Sequence, residues 1–393
     1  MRVLFLHLSR NSSYEYKVHR LLAQHADPKA LDCYFVCQNS VRDHSADDMR
    51  MTDSQHVLLW DFGRDMEIVP KPSRLYRAIM MATRLPGSLI FLVRHIHALK
   101  PDVIYTSQQQ VEVQLAAVMH RMFRVPHLIH LHYNVGPWLG RICLYIIQRT
   151  PCLVACSSFV RQGAVAMGVP ESSIDAIHNA IDVQRFDVAG DRDRTRAAFQ
   201  LPKETPLVVA AGRLDPSKGY MTLLNAFASV RRQIPEAHLL ICGETTRRDG
   251  FDLLLKHRAA EQDLANSVTF AGRRSDLPEI FAAADLFCLP SEEEPFGLVF
   301  AEAMIARLAV VACRSGGVPE IVADGVSGLL SAVGDSSMLA TNIATLLRDR
   351  ARARAMGEAG LARALALFSP QIVAAQWVRL LQRRIVTTGA SSP

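Results

Sequence analysis

No two cysteines in this chain stand at C-x-x-C spacing, although there are eight of them. Cys33/Cys37 and Cys152/Cys156 come nearest, and their longer spacing excludes a zinc knuckle or a thioredoxin-like centre. The cysteines read as buried, reduced thiols. No long uninterrupted apolar run is present either. The opening MRVLFLHLSR is too short for a signal peptide and reads as a first buried strand. The longest later run, SLIFLVRHIHAL at 88–99, is interrupted by Arg94, so no transmembrane helix is expected. Charged residues make up only 21% of the chain against 49% hydrophobic, which describes a globular protein with ample core. Disorder is expected only in the tail after Thr387. The expected location is the cytoplasm, including the inner face of the membrane.

Acidic residues are scarce where basic ones gather. Eleven Lys or Arg lie between Glu67 and Glu171, against Asp102 and Glu112 alone, whereas the second half is nearly balanced. The net charge of +6 therefore belongs to the N-terminal half. Within it, KPSRLYRAIMMATRLPGSLIFLVRHIHALK at 71–100 mixes arginines with apolar side chains and has no acid. Such a surface suits an anionic membrane. The plainer alternative is two sheet-covering helices with solvated basic faces. No nucleic-acid module or aromatic-interleaved basic stripe is present, so nucleic acid is not an expected partner.

What is present is a rhythm. Short apolar runs alternate with longer amphipathic ones: VLFLHL, DCYFVC, HVLLW, VIYTS, HLIHLHY and LVACSS, then LVVAAG, HLLICG, VTFAG, LFCLPS and AVVAC. This is β-α-β alternation, the pattern of parallel sheets covered by helices on both faces. At 393 residues the chain exceeds the size of a single core, and the pattern runs twice. The fold class is α/β, with two Rossmann-like doubly wound domains. The charged, turn-rich segment NAIDVQRFDVAGDRDRTRAAFQLPKETP places the boundary near 190. The expected domains are 1–190 and 191–367. Residues 368–393 form a helix returning to the first domain, followed by a flexible tail, and the segment opens on a capping Ser-Pro. Ligands are expected at the carboxyl ends of the strands, in the cleft between the domains.

Three stretches carry chemistry. After LVVAAG comes GRLDPSKG at 212–219, a strand-to-helix turn whose backbone donors, Arg213 and Lys218 suit a phosphate. It is neither a Walker A loop nor a dinucleotide G-x-G-x-x-G, and alone it also reads as an exposed loop. The second stretch is SEEEPFGLVFAEAM at 291–304. In one continuous helix Glu294 and Glu302 would stand roughly 12 Å apart and about 80° around the axis. Pro295 and Gly297 instead put Glu294 in a loop feeding a helix that carries Glu302 in its early turns. A carboxylate on so apolar a helix calls for a ligand or cation partner. The third is HLIHLHY, whose alternation puts His130 and His132 on one face. They read either as site residues or as buried strand histidines. No third ligand accompanies them, so no metal site is expected.

GRLDPSKG, VTFAG, the two glutamates of EPFGLVFAE with seven residues between them, and SGGVPEIVADGVSGLL together resemble a family 4 glycosyltransferase of the GT-B fold. HLHYN, LVACSSF and HNAIDVQRF are more loosely similar to the family's first half. The resemblance implies a retaining hexosyltransferase that uses a UDP- or GDP-linked sugar as co-substrate, with no metal or other cofactor. It places the donor diphosphate on Arg213 and Lys218, the ribose on Glu302, and the donor sugar near Glu294. The turn amides of Phe296, Gly297 and Leu298 would meet sugar and phosphate oxygens, and His132 would stand beside the reacting centre as the second catalytic residue. The implied acceptor is a lipid-linked saccharide, polysaccharide or glycolipid, with peripheral attachment to the membrane through 71–100. A sugar-nucleotide epimerase and a non-catalytic sugar-nucleotide binder are the alternatives. The intact Arg213, Lys218, Glu294 and Glu302 set argues against the binder. The chain departs from many relatives in having no glycine before Gly63, where HLSRNSSYEYKV follows the first strand, and in the single glycine of ETTRRDG.

Overall fold

The computed structural model describes residues 1–8, 13–38, 55–60, 74–188, 190–245 and 249–389. The glycine-free loop at 9–12, Gly63, residues 71–73, 246–248 and the tail from 390 lie outside the described residues, as do the side chains of 74–85. The chain divides into two units, Met1–Ala180 with Pro370–Pro393, and Ile181–Ser369.

In the first unit seven parallel strands form one sheet: β1 (Arg2–His7), β2 (Asp32–Gln38), β3 (Gln55–Trp60), β4 (Val103–Ser107), β5 (His127–Leu131), β6 (Leu153–Ala155) and β7 (Ile174–Ala176). Their order is β3-β2-β1-β4-β5-β6-β7. β4 and β5 are buried throughout, as parallel strands covered on both faces must be. Phe5 of β1 pairs with Phe35 of β2 and Tyr105 of β4, and the two phenylalanine rings stack at 4.5 Å. The run at 71–100 contains one helix, Arg74–Leu99, that continues through Pro86. Its Leu92 and Ile96 join Leu4, Leu6, Val36 and Ile104 in the core, so the apolar side of 88–99 is committed to the sheet.

The last helix, Pro370–Gly389, belongs to this unit. Trp377 is fully buried against the rings of Phe5 and Tyr105, at 5.8 and 5.7 Å. Arg383 and Arg384, the basic end of the helix, grip Asp175 of β7 at 2.7 and 2.5 Å. The run Arg350–Ile385 is long and apolar enough to cross a membrane by length and composition alone. It is broken at Ser369, and Phe368, Val373, Trp377 and Leu381 are buried inside the protein.

The second unit has six parallel strands: β8 (Leu207–Ala211), β9 (His238–Cys242), β10 (Val268–Gly272), β11 (Leu286–Leu289), β12 (Ala309–Cys313) and β13 (Gly328–Ser331), in the order β10-β9-β8-β11-β12-β13. β7 and β13, three and four residues long, are strands that the sequence pattern did not mark out. The charged segment near 190 is folded onto this unit. Asp191 caps the helix Arg192–Ala198, and the buried Arg196 donates to the carbonyls of Ala283, Lys203 and Thr205 at 3.0, 2.6 and 2.7 Å. Its remaining charge meets Asp285 at 2.9 Å, so the guanidinium is compensated in place. The stretch before it joins the same unit, with Phe186 against Phe281 at 5.9 Å, and the chain divides at Ala180. In both sheets the strand order reverses beside the first strand, between β1 and β4 and between β8 and β11. The carboxyl ends there are where doubly wound sheets hold ligands.

Candidate active site

In the second unit the loops after β8 and β11 are knitted together at the reversal. Asp215 accepts from the Ser217 amide at 3.1 Å and its hydroxyl at 2.8 Å, which closes the short turn Pro216–Lys218. Asp215 was not singled out from the sequence, though an aspartate before Pro-Ser is a capping signal. Gly219 ends the turn at φ 70°, and a Cβ there would lie 2.0 Å from the carbonyl oxygen of Pro290. Glu292 N then donates to Ser217 O at 2.8 Å. Lys218 is thereby aimed at Glu294, and its Nζ donates to Oε2 at 2.6 Å. Both side chains are largely buried, 15% and 9% exposed. Arg213, on the same loop, is exposed.

The loop after β12 completes this cradle. Gly317 N donates to Glu294 O at 2.8 Å, and Ser315 Oγ to Ser291 O at 2.6 Å. A Cβ on Gly316 would meet Glu294 O at 2.1 Å, which explains the paired glycines of SGGVPE. Gly297, at φ 93°, starts the helix Leu298–Ile305, whose first amides have no side-chain cap. Such an end attracts anions. Phe296 turns its ring inward against Phe368 at 5.6 Å and is 1% exposed, so only its backbone is offered to a ligand. Glu302 stands one turn into the helix on the less buried side, with Leu298 and Val299, while Glu292 and Glu293 face solvent.

The glycine positions make a graded prediction. Gly219→Ala carries the left-handed backbone strain, more than about 1 kcal/mol, together with the clash on Pro290. Gly250→Ala, at φ 75° with open space around it, carries only the strain. Urea denaturation should therefore show Gly219→Ala clearly the less stable of the two. Equal losses would mean that the Gly219 turn does not lie against Pro290.

In the first unit the carboxyl ends of β1 and β5 hold histidines. His130 and His132 do share one face, with rings 4.0 Å apart. The fold adds His7, the last residue of β1, and His19 from the helix Ser13–His25; all four are at most 2% exposed. His19 Nδ1 lies 3.2 Å from His7 Nε2, and His19 Nε2 lies 3.1 Å from His130 Nδ1 and 3.2 Å from His132 Nε2. The Tyr105 hydroxyl stands 3.1 Å from His130 Nδ1. Burial, reinforced for His7 by His132, lowers both His7 and His132 to about 3. Burial and the neighbouring rings hold His19 and His130 well below the usual histidine range. The cluster is thus neutral, and His7 Nδ1, His130 Nε2 and His132 Nδ1 have no hydrogen-bond partner among the described residues.

The third nitrogen that the sequence did not reveal is His19. It sits more than a hundred residues from His130 in the chain, and no local pattern links them. Among the described residues, His19, His130 and His132 are the group that could hold a metal ion, with ligand nitrogens all within 4.8 Å of one another. Beside them Glu112, fully buried, accepts from Leu8 N at 3.0 Å and Ser107 Oγ at 2.5 Å, tying the ends of β1 and β4 to the helix Gln110–Phe123.

Residues 191–363 match the family described as Glycosyl transferases group 1, and residues 16–185 match Glycosyltransferase Family 4. The chain is 37% identical over 193 residues to a D-inositol 3-phosphate glycosyltransferase of Segniliparus rotundus, covering 49% of this chain and 43% of that protein. It is 34% identical over 251 residues to a GDP-mannose-dependent alpha-(1-6)-phosphatidylinositol monomannoside mannosyltransferase of Mycobacterium tuberculosis, covering 61% and 64%. The chain thus spans about half the length of the curated relatives it matches. Among solved structures, HepE of Anabaena in complex with UDP superimposes with a TM-score of 0.80 at 22% identity, over 98% of this chain and 100% of that one. This last likeness is one of fold. With each half of the chain matched in order by a glycosyltransferase family, and with two Rossmann-like sheets to carry them, the protein belongs to the family 4 glycosyltransferases of the GT-B fold.

Proposed function

We propose that the protein is a retaining hexosyltransferase that moves a sugar from a UDP- or GDP-linked donor to a hydroxyl of a lipid-linked saccharide, polysaccharide or glycolipid. The observation that carries this reading is the buried Lys218–Glu294 pair inside a cradle that only glycines allow, at the reversal point of the second sheet. The donor diphosphate lies against Arg213, Lys218 and the uncapped start of the helix Leu298–Ile305. It takes over Lys218 as partner and leaves the Glu294 carboxylate to accept from sugar hydroxyls. The ribose hydroxyls donate to Glu302.

Chemistry then consists of stabilising the departing diphosphate. Two cations and a helix terminus do electrostatically what a metal does elsewhere. The leaving phosphate oxygen takes the acceptor proton as the new bond forms on the same face, so no protein base is obligatory. His132, which the family resemblance implies as a catalytic residue, would act as a neutral hydrogen-bonding group, since burial keeps it from carrying a charge. The eight free, buried cysteines suit a reducing cytoplasm, and a lipid-linked acceptor places the reaction at the membrane's inner face.

A thermal-shift screen against UDP- and GDP-sugars tests this directly. A donor at a hundred times its dissociation constant stabilises by about 2.7 kcal/mol. Glu302→Gln should lose much of that shift while its ligand-free midpoint stays put. If no nucleotide sugar raises the midpoint, the donor site is wrong; if Glu302→Gln binds normally, the ribose role is wrong.

A further inference from the structure

We propose that the face formed by the helices Gln110–Phe123 and Gly140–Arg149 is a membrane-binding surface for anionic bilayers. The apolar side of 88–99 faces the core, yet this pair of helices leaves large apolar side chains in water. Trp138 is 52% exposed, Ile142 65% and Tyr145 57%; Val111, Val118 and Met122 are 39%, 44% and 54% exposed. The spacing is systematic. Positions 111, 118 and 122 fall on one helical stripe and positions 142 and 145 on another, while Trp138 stands in the short turn Pro137–Leu139 that leads into the second helix.

The two helices pack side by side. Gln114 Nε2 donates to Cys143 Sγ at 3.3 Å, and Gln110 Nε2 to Trp138 O at 3.0 Å. The stripes therefore belong to one surface, and scattered single exposures do not make such a pattern. Its charge has one sign. Arg121, Arg124, Arg141 and Arg149 are exposed around it, while Glu112, the acid on these helices, is fully buried and bonded to Leu8 and Ser107. Arg149 lies over the Tyr145 ring at 3.8 Å, which holds a cation at the edge of the apolar stripe.

Exposed Trp and Tyr with aliphatic neighbours and an arginine rim match the interface of an anionic bilayer, where aromatic rings sit at headgroup depth and arginines meet phosphates. A protein partner of opposite charge is the competing occupant. The test separates the two. It also stands apart from the acceptor reading, because vesicle binding needs no turnover.

The full chain would be sedimented with vesicles of phosphatidylcholine alone and of equal phosphatidylcholine and phosphatidylglycerol. The expected result is binding to the anionic vesicles, weakened at least tenfold by Trp138→Ser/Ile142→Ser and by Arg141→Glu/Arg149→Glu. Unfolding midpoints and nucleotide binding should stay unchanged, since these side chains lie on the surface. Tryptophan emission of the wild-type chain should shift to the blue with anionic vesicles, and the shift should vanish in Trp138→Phe. Absence of binding to anionic vesicles, or binding equal in wild type and both double variants, overturns the proposal. So does self-association abolished by the same substitutions without any vesicle binding, which would assign the face to a second copy.

Discussion

Lys218→Ala is expected to lose stability and turnover together, whereas Arg213→Ala loses turnover alone. The difference comes from burial. Lys218 and Glu294 are an ion pair with side chains 15% and 9% exposed. Removing the lysine strands a carboxylate away from water, and breaking such a pair typically destabilises by about 3–5 kcal/mol. Arg213 is exposed, so its removal should change stability by less than about 0.5 kcal/mol. On turnover both should resemble the loss of a donor to a developing anion, a fall of about 10²–10³ in kcat, or roughly 2.7–4 kcal/mol. Urea denaturation and steady-state kinetics on the two variants read these effects separately. The double variant Lys218→Met/Glu294→Gln should recover much of the stability without the activity. Near-wild-type turnover in both single variants would remove the diphosphate from this loop, and undiminished stability of Lys218→Ala would mean that the pair is not buried as described.

The second large effect is acid lability of the first unit. His7 and His132 are held at about 3 in the folded protein against about 6.5 when unfolded. Above pH 6.5 both states are neutral at these sites, and the full stability is present. As pH falls below 6.5 the unfolded chain binds protons that the folded chain refuses, so stability drops by about 1.4 kcal/mol per pH unit for each histidine until the folded value is reached. By pH 4.5 these two sites together remove about 5 kcal/mol, comparable with the whole stability of a modest domain. His19 and His130 act in the same direction. All three tryptophans, Trp60, Trp138 and Trp377, lie in the first unit, so their fluorescence follows its unfolding. Denaturation midpoints measured from pH 7 to 4.5 should fall steeply in the wild type and less steeply in His132→Gln. Parallel slopes in the two proteins would show that His132 is not a buried neutral group.

Much of the candidate site in the second unit was legible because its signals are local. Pro295 and Gly297 place the helix start at Leu298, and Glu302 falls in its early turns. GRLDPSKG shows a turn because Asp, Pro and two glycines lie within eight residues. The units divide at Ala180, ahead of the stretch expected near 190, because Phe186 packs on Phe281 at 5.9 Å and Asp187 pairs with Arg307 at 2.7 Å. A run of arginines looks like solvated linker until Asp285, far along the chain, supplies the partner that buries Arg196.

Local pattern by itself determined the β-α-β alternation, the two parallel sheets and the turn residues of the loops at 212–219 and 291–298. Burial periodicity and turn chemistry are written over a few residues at a time. Only the tertiary structure decided that Lys218 pairs with Glu294, that His7, His19, His130 and His132 converge, and that Leu92 and Ile96 of the 88–99 run are core while the Trp138 face is surface. A sequence period states that one side of an element will be covered. Which element covers it depends on strand order and on loop closures that no local window contains.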